Sequence, residues 1–144
     1  EVTDFPYDRL TLEITESLLM KQHTHLIDVL NGLRIKGIKI SLDDFGTGYS
    51  SLSYLANFPI DQIKIDKSFI DRLDEGKRHE ALVEAIVRLS HALDLTVTAE
   101  GVETESQLKF VMSNHIQEIQ GYLFYKPMPK AAFFALLAKQ AELH

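Results

Sequence analysis

The chain predicts an α/β fold built on a parallel sheet, and three observations carry that expectation. Short β-branched runs alternate with helix-like segments along all 144 residues. Strict alternation of this kind makes neighbouring strands parallel and covers them with helices. A polar or charged residue stands late in each of the five runs. These residues recur after about 20–35 positions, the length of one βα unit.

In the first run, RLTLEITE over 9–16, Leu10, Leu12 and Ile14 share one face because strand side chains alternate with period two. Glu13 faces the other way with Thr11 and Thr15. Positions 17–36 follow as a helix, with helical spacing from Leu26 through Leu30 and Leu33 and a stop at Gly37. Ile38, Ile40 and Leu42 then share a strand face opposite Ser41 and Asp43, and Asp43-Asp44 closes the run. Ser50 to Phe58 reads as a short helix ended by Pro59. The third run sets Ile63 and Ile65 opposite Lys64 and Asp66. Glu80 to Leu93 has the broad apolar face of a covering helix, and Lys77-Arg78-His79 ahead of it reads as a solvated helix start. In the fourth run, over 96–103, Glu100 lies opposite Val97 and Ala99. Thr104-Glu105-Ser106-Gln107 is a capping box opening the helix of Leu108, Phe110 and Val111. The fifth run, 118–124, sets Gln120 opposite Ile119. Lys130 to Leu143 is a final amphipathic helix whose Phe133 and Phe134 read as core.

Two architectures accommodate this order: an open doubly wound sheet and a TIM-type (β/α)8 barrel. Polar groups late in the strands of a barrel converge on its C-terminal mouth, so five strands serving one site favour the barrel. A closed barrel takes about 250 residues, so the chain reads as a partial barrel of about five C-terminal units, a single domain over 1–144. It starts at Glu1 rather than methionine, and we expect it to be cut from something longer. Acids and a lysine gathered at strand ends are costly unless charged partners sit among them, and a divalent metal with a phosphate would be such partners.

Composition narrows the functions. The formal net charge of −6 argues against binding a nucleic-acid polymer through phosphate contacts. With no cysteine, disulfides and thiolate metal sites are excluded, and a reducing, cytoplasmic location fits. No apolar run reaches the roughly 18 residues of a membrane span, so no membrane contact is expected from this segment. The six histidines share no strand-end placement and read as surface or packing residues.

Five motifs in order, LEITES (12–17), LDDFGTGYSSLSYL (42–55), IKIDKSF (63–69), AEGVET (99–104) and QGYLFYKPMP (120–129), resemble the EAL domain family over about residues 9–137. The family comprises bacterial phosphodiesterases and receptors for the second messenger cyclic di-GMP. The resemblance implies a barrel mouth holding two divalent cations, Mg²⁺ or Mn²⁺, and hydrolysis of cyclic di-GMP to linear pGpG. It implies that Glu13, Asp43, Asp44, Asp66 and Glu100 bind metal, and that Lys64 and Glu100 are catalytic, Lys64 by contacting the attacking water. Glu103 and Gln120 match groups of the substrate and water network. Glu16 matches a glutamate that anchors the loop Phe45 to Ser51, the link between metal binding and dimer contacts. A homodimer, and an N-terminal sensor or diguanylate cyclase domain that could anchor the protein to a membrane, are further expectations of the resemblance.

The chain departs from the family pattern in one place that matters. The Glu-Ala-Leu tripeptide does not occur, nor does the next strand with its ligand asparagine. Both are expected ahead of residue 1, so the first cation lacks two of its usual ligands within these residues. Asn114-His115-Ile116 and Tyr125 are smaller departures. The isolated segment is expected to be inactive and to aggregate or complete its sheet by association. A non-catalytic cyclic di-GMP receptor and a protein-interaction module are the alternatives to the enzyme. The residue at the absent glutamate position separates the first of these from catalysis.

Overall fold

The computed structural model describes residues 4–19, 24–46, 55 and 57–141. Its five strands are β1 (Thr11–Thr15), β2 (Lys39–Phe45), β3 (Gln62–Ile65), β4 (Thr96–Glu100) and β5 (Glu118–Gln120). They form one parallel sheet in the order β1-β2-β3-β4-β5. A doubly wound sheet reverses its strand order at a switch point. This sheet has no reversal, so each strand adds beside the last as in a barrel wall.

The helices are α1 (Glu16–Leu19), α2 (Thr24–Ile35), α3 (Lys67–Asp71), α4 (Lys77–Ala92), α5 (Glu105–Ser113) and α6 (Lys130–Ala141). Where one helix was expected over 17–36 there are two described pieces, and residues 20–23 lie outside the described residues. Most of the short helix expected over 50–58 lies outside them too, with Leu55 and Asn57 helical. The capping box forms as read. Thr104 Oγ1 accepts from the Gln107 N–H at 3.2 Å, and Gln107 Oε1 accepts from the Thr104 N–H at 3.0 Å. Such a cap contributes about 1 kcal/mol.

The two sheet faces differ in kind. Ile40, Leu42, Ile63, Ile65, Val97 and Ala99 are almost wholly buried and pack with Leu30, Ile70, Val83, Val87 and Val111 of the helices. Each side chain of this size contributes about 1.5–3 kcal/mol by leaving water, with Ala99 at less. The alternate residues Ser41, Asp43, Gln62, Lys64, Thr98, Glu100, Glu118 and Gln120 form a polar second face. That face is the inner wall of the barrel.

The reading of Phe133 and Phe134 as core is overturned. Both are about half exposed, and of the α6 side chains described only Leu136 is partly buried. The helix follows β5, an edge strand of the described sheet, so its apolar side meets little to pack against.

Candidate functional site

Four adjacent strands each send one charged group to the inner wall near their C-terminal ends. Lys64 Nζ on β3 lies 2.9 Å from Glu13 Oε1 of β1, 3.2 Å from Asp43 Oδ1 of β2 and 2.7 Å from Glu100 Oε1 of β4. Residues separated by up to 87 positions thus meet at one ammonium, because parallel pairing places equivalent strand ends side by side. Burial of Lys64 by itself would lower its pKa. Hydrogen bonds to Glu100, Glu13 and Asp43, with the charge of Glu100, outweigh burial and push the pKa well above the ordinary lysine value.

Asp44 joins through a fault in the pleat. Leu42 pairs with Ile63 but Phe45 pairs with Ile65, so β2 carries one extra residue there. Asp44 takes the left-handed conformation, φ 55°, which aspartate tolerates better than most side chains. Strict alternation would set Asp44 on the helix-facing side with Leu42. The bulge releases it and returns Phe45, 4% exposed, to the core. One oxygen each of Asp43, Asp44 and Glu100 then lies within 4.8 Å of the others.

Hard oxygen donors in such a set suit Mg²⁺ or Mn²⁺. Asp43 Oδ1 is buried, with the Lys64 ammonium at 3.2 Å as its ion-pair partner. Four carboxylates stand against one ammonium. The residues therefore fit divalent cations.

The other expected site residues separate into two groups. Glu16, 7% exposed at the start of α1, accepts from the Gly46 N–H through Oε2 at 3.4 Å. It touches the first turn of the loop it was expected to anchor, whose positions 47–51 lie outside the described residues. Gly46 has φ 95°, and a Cβ there would come within 2.7 Å of the Phe69 ring, so glycine is required. Asp66 does not join the carboxylates. Its Oδ1 caps α3, accepting from the Ser68 N–H at 3.0 Å and the Ser68 hydroxyl at 2.5 Å. Nor does Asp66 pair with Lys64 in this arrangement; the lysine is held by the other three acids. Glu103 pairs with Lys67 at 2.5 Å.

Glu100, Glu103 and Gln120 line one cavity of about 570 Å³ with Tyr122, Tyr125 and Lys126. A cavity of about 650 Å³ between α3 and α4, lined by Phe69, Arg72, Arg78 and His79, contains none of the clustered acids. Chemistry therefore singles out the former.

Sequence reasoning missed two features. Lys67 lines the cavity, and its place three residues after Lys64 was a signal available to read. A second polar layer lies deeper along the inner wall. Gln62 Nε2 donates to Thr98 Oγ1 at 2.8 Å and to Glu118 Oε2 at 2.5 Å, and the Thr98 hydroxyl donates to Glu118 Oε2 at 3.1 Å. Period two would have found it, since 62, 98 and 118 each precede a rim residue by two.

Among the described residues no helix is long and apolar enough to cross a membrane. The EAL domain family model matches residues 3–127. Cyclic di-GMP phosphodiesterase NbdA of Pseudomonas aeruginosa is 47% identical over 123 residues, 85% of this chain and 16% of NbdA. The solved PaMucR phosphodiesterase in complex with c-di-GMP superposes with a TM-score of 0.83 at 42% identity, over 89% of this chain and 52% of that one. Klebsiella pneumoniae BlrP1, solved with manganese and cy-diGMP, gives a TM-score of 0.76 at 36% identity, over 83% and 30%. The chain spans about 15–17% of the length of the first curated relatives it matches. The sequential parallel sheet, the acidic strand-end rim and these likenesses agree: the chain belongs to the EAL domain family.

Proposed function

We propose that this chain forms the C-terminal part of a cyclic di-GMP phosphodiesterase domain that opens one phosphodiester bond to give linear pGpG. The observation that carries the reading is the meeting of Glu13, Asp43 and Glu100 on Lys64, with Asp44 beside them. The relative and the complex described above, named for this activity and this ligand, support it.

Asp43, Asp44 and Glu100 would hold divalent cations, with Glu13 at the same rim, and Asp66, directly after β3, would join them by giving up its cap. Cations bound there supply a nucleophile at neutral pH and offset phosphodiester charge. Mg²⁺ and Mn²⁺ both suit the donors, and the manganese complex of a relative supports binding of Mn²⁺ at such a site. Lys64, a permanent cation among the acids, orients the attacking water through its hydrogen bonds and favours negative charge growing on phosphate. Glu103 and Gln120 face the cavity that would receive the dinucleotide, and Glu16 holds the loop after Asp44. On this reading residues 1–144 are a single partial domain in the cytoplasm. The natural protein carrying it pairs as a homodimer and adds sensor or cyclase segments, for which the small share of its relatives' length leaves room.

The test is conversion of cyclic di-GMP to pGpG by the full natural protein with Mg²⁺ or Mn²⁺. Turnover that disappears with chelator is the expected result. Binding without turnover would convert the reading to a receptor, and no binding at all would end both.

A further inference from the structure

We propose that Lys67, laid across Gly101, is a positioning residue that holds Glu103 at the cavity wall. The inference rests on the reading of Glu103 as part of the substrate and water network. Three observations carry it. Lys67 Nζ lies 2.5 Å from Glu103 Oε1, although the two are separated by 36 positions and both side chains are partly exposed. A partly solvated carboxylate with no such tie samples several rotamers, so the ammonium selects one.

The lysine stem is itself fixed. Gly101 has φ 71°, and a Cβ on it would lie 2.3 Å from Lys67 Cγ and 2.7 Å from Cβ and Cδ. The stem therefore lies directly on the Gly101 backbone, in space that any side chain would take. Glycine at 101 both makes the turn after β4 and leaves room for the lysine.

The two ends of the pair are also tied through the backbone. Buried Gln107 accepts the Glu103 N–H at 2.7 Å through Oε1, and its amide donates to the Ile70 carbonyl of α3 at 3.3 Å. Asp66 caps the start of α3 immediately before Lys67. Loop 101–104 and α3 are thus fixed to each other, and the Lys67–Glu103 contact carries that rigidity out to a carboxylate facing the cavity. Lys67 also offsets one negative charge where an anionic substrate would enter.

The experiment uses the full natural protein with cyclic di-GMP and Mn²⁺. Lys67→Met should lower kcat about 10-fold, the scale for groups that orient a reacting partner, while KM and calorimetric affinity for pGpG change less than about threefold. Lys67→Arg should restore kcat to within about threefold. Gly101→Ala, by expelling the stem, should reproduce the methionine phenotype. In a Glu103→Gln background, Lys67→Met should add no further loss, the mark of residues acting as one unit. Melting temperatures report folding, and rescue by arginine keeps the test decisive should the methionine variant be less stable. Unchanged kcat in Lys67→Met with a loss in Glu103→Gln overturns the strut and leaves Glu103 its role. Losses that multiply independently overturn it as well. Full activity of Glu103→Gln removes the role of Glu103 and the strut together.

Discussion

The inner wall of the sheet carries two polar layers one pleat apart, and they are built on opposite principles. The deeper layer, Gln62, Thr98 and Glu118, closes on itself: one amide and one hydroxyl donate to a shared carboxylate oxygen. The rim layer, Glu13, Asp43, Lys64 and Glu100, does not close. Three carboxylates meet one ammonium, with Asp44 a fourth acid nearby. Neutral donors shared between neighbouring strands tie a wall together, whereas several charges of one sign around a single counter-charge favour a further cation. The contrast favours the rim as the place for the proposed cations. Strands β3 and β4 contribute to both layers, and it is at the rim that several charges of one sign gather round a single ammonium.

The contrast can be broken first at Lys64. Lys64→Met in the full natural protein should reduce turnover about 100-fold or more, the cost of removing a charge-stabilising donor from an active site. Measured kcat within threefold of the original would take the lysine out of the mechanism. Next in size is metal linkage. Mn²⁺ at 100 times its dissociation constant should stabilise the protein by about 2.7 kcal/mol, and Asp43→Asn should abolish most of that gain. A melting curve indifferent to Mn²⁺ would mean the excess rim charge is met some other way.

Stability sharpens the comparison further. Lys64→Met leaves three carboxylates facing one another, and we expect a loss of about 1–2 kcal/mol, discounted because the acids retain partial contact with water. The Lys64 pKa is raised on folding, so its contribution is whole below the ordinary lysine value of 10.5 and is lost only as pH climbs through the raised value. The melting difference between the two proteins should therefore stay flat from pH 7 to 10, and a difference that vanishes in that window would contradict the ion-pair geometry. The smallest effect belongs to the deeper layer. Thr98→Val should cost about 0.5–1.5 kcal/mol and leave kcat unchanged, because Gln62 and Glu118 still bond each other. A fall in turnover comparable to that of Lys64→Met would erase the distinction between the layers.

Legibility followed the range of the interactions. The capping box at Thr104 and the stop after α2 involve residues within a turn of one another, and both stood in the sequence as they stand in the fold. The five strands were legible because alternation is a property of each strand alone. The position of Asp66 follows a local preference that strand alternation does not weigh. A carboxylate directly ahead of a helix satisfies the free N–H groups of its first turn, and that competes with any distant ligand. Phe133 and Phe134 were misread because apolar character states what a side chain would gain from burial, not whether a neighbour is there to bury it.

By itself, then, the sequence determined which residues face the inner wall, that acids and a lysine end the strands, and to which family the motifs point. Tertiary structure alone decided that strand order is sequential, that one ammonium gathers three of those acids, and that an extra residue in β2 turns Asp44 toward the site. The physical reason is register. Period two assigns each side chain a face from its own neighbours, but which strand ends meet, and where the pleat slips by one residue, depends on pairing between segments far apart in the chain.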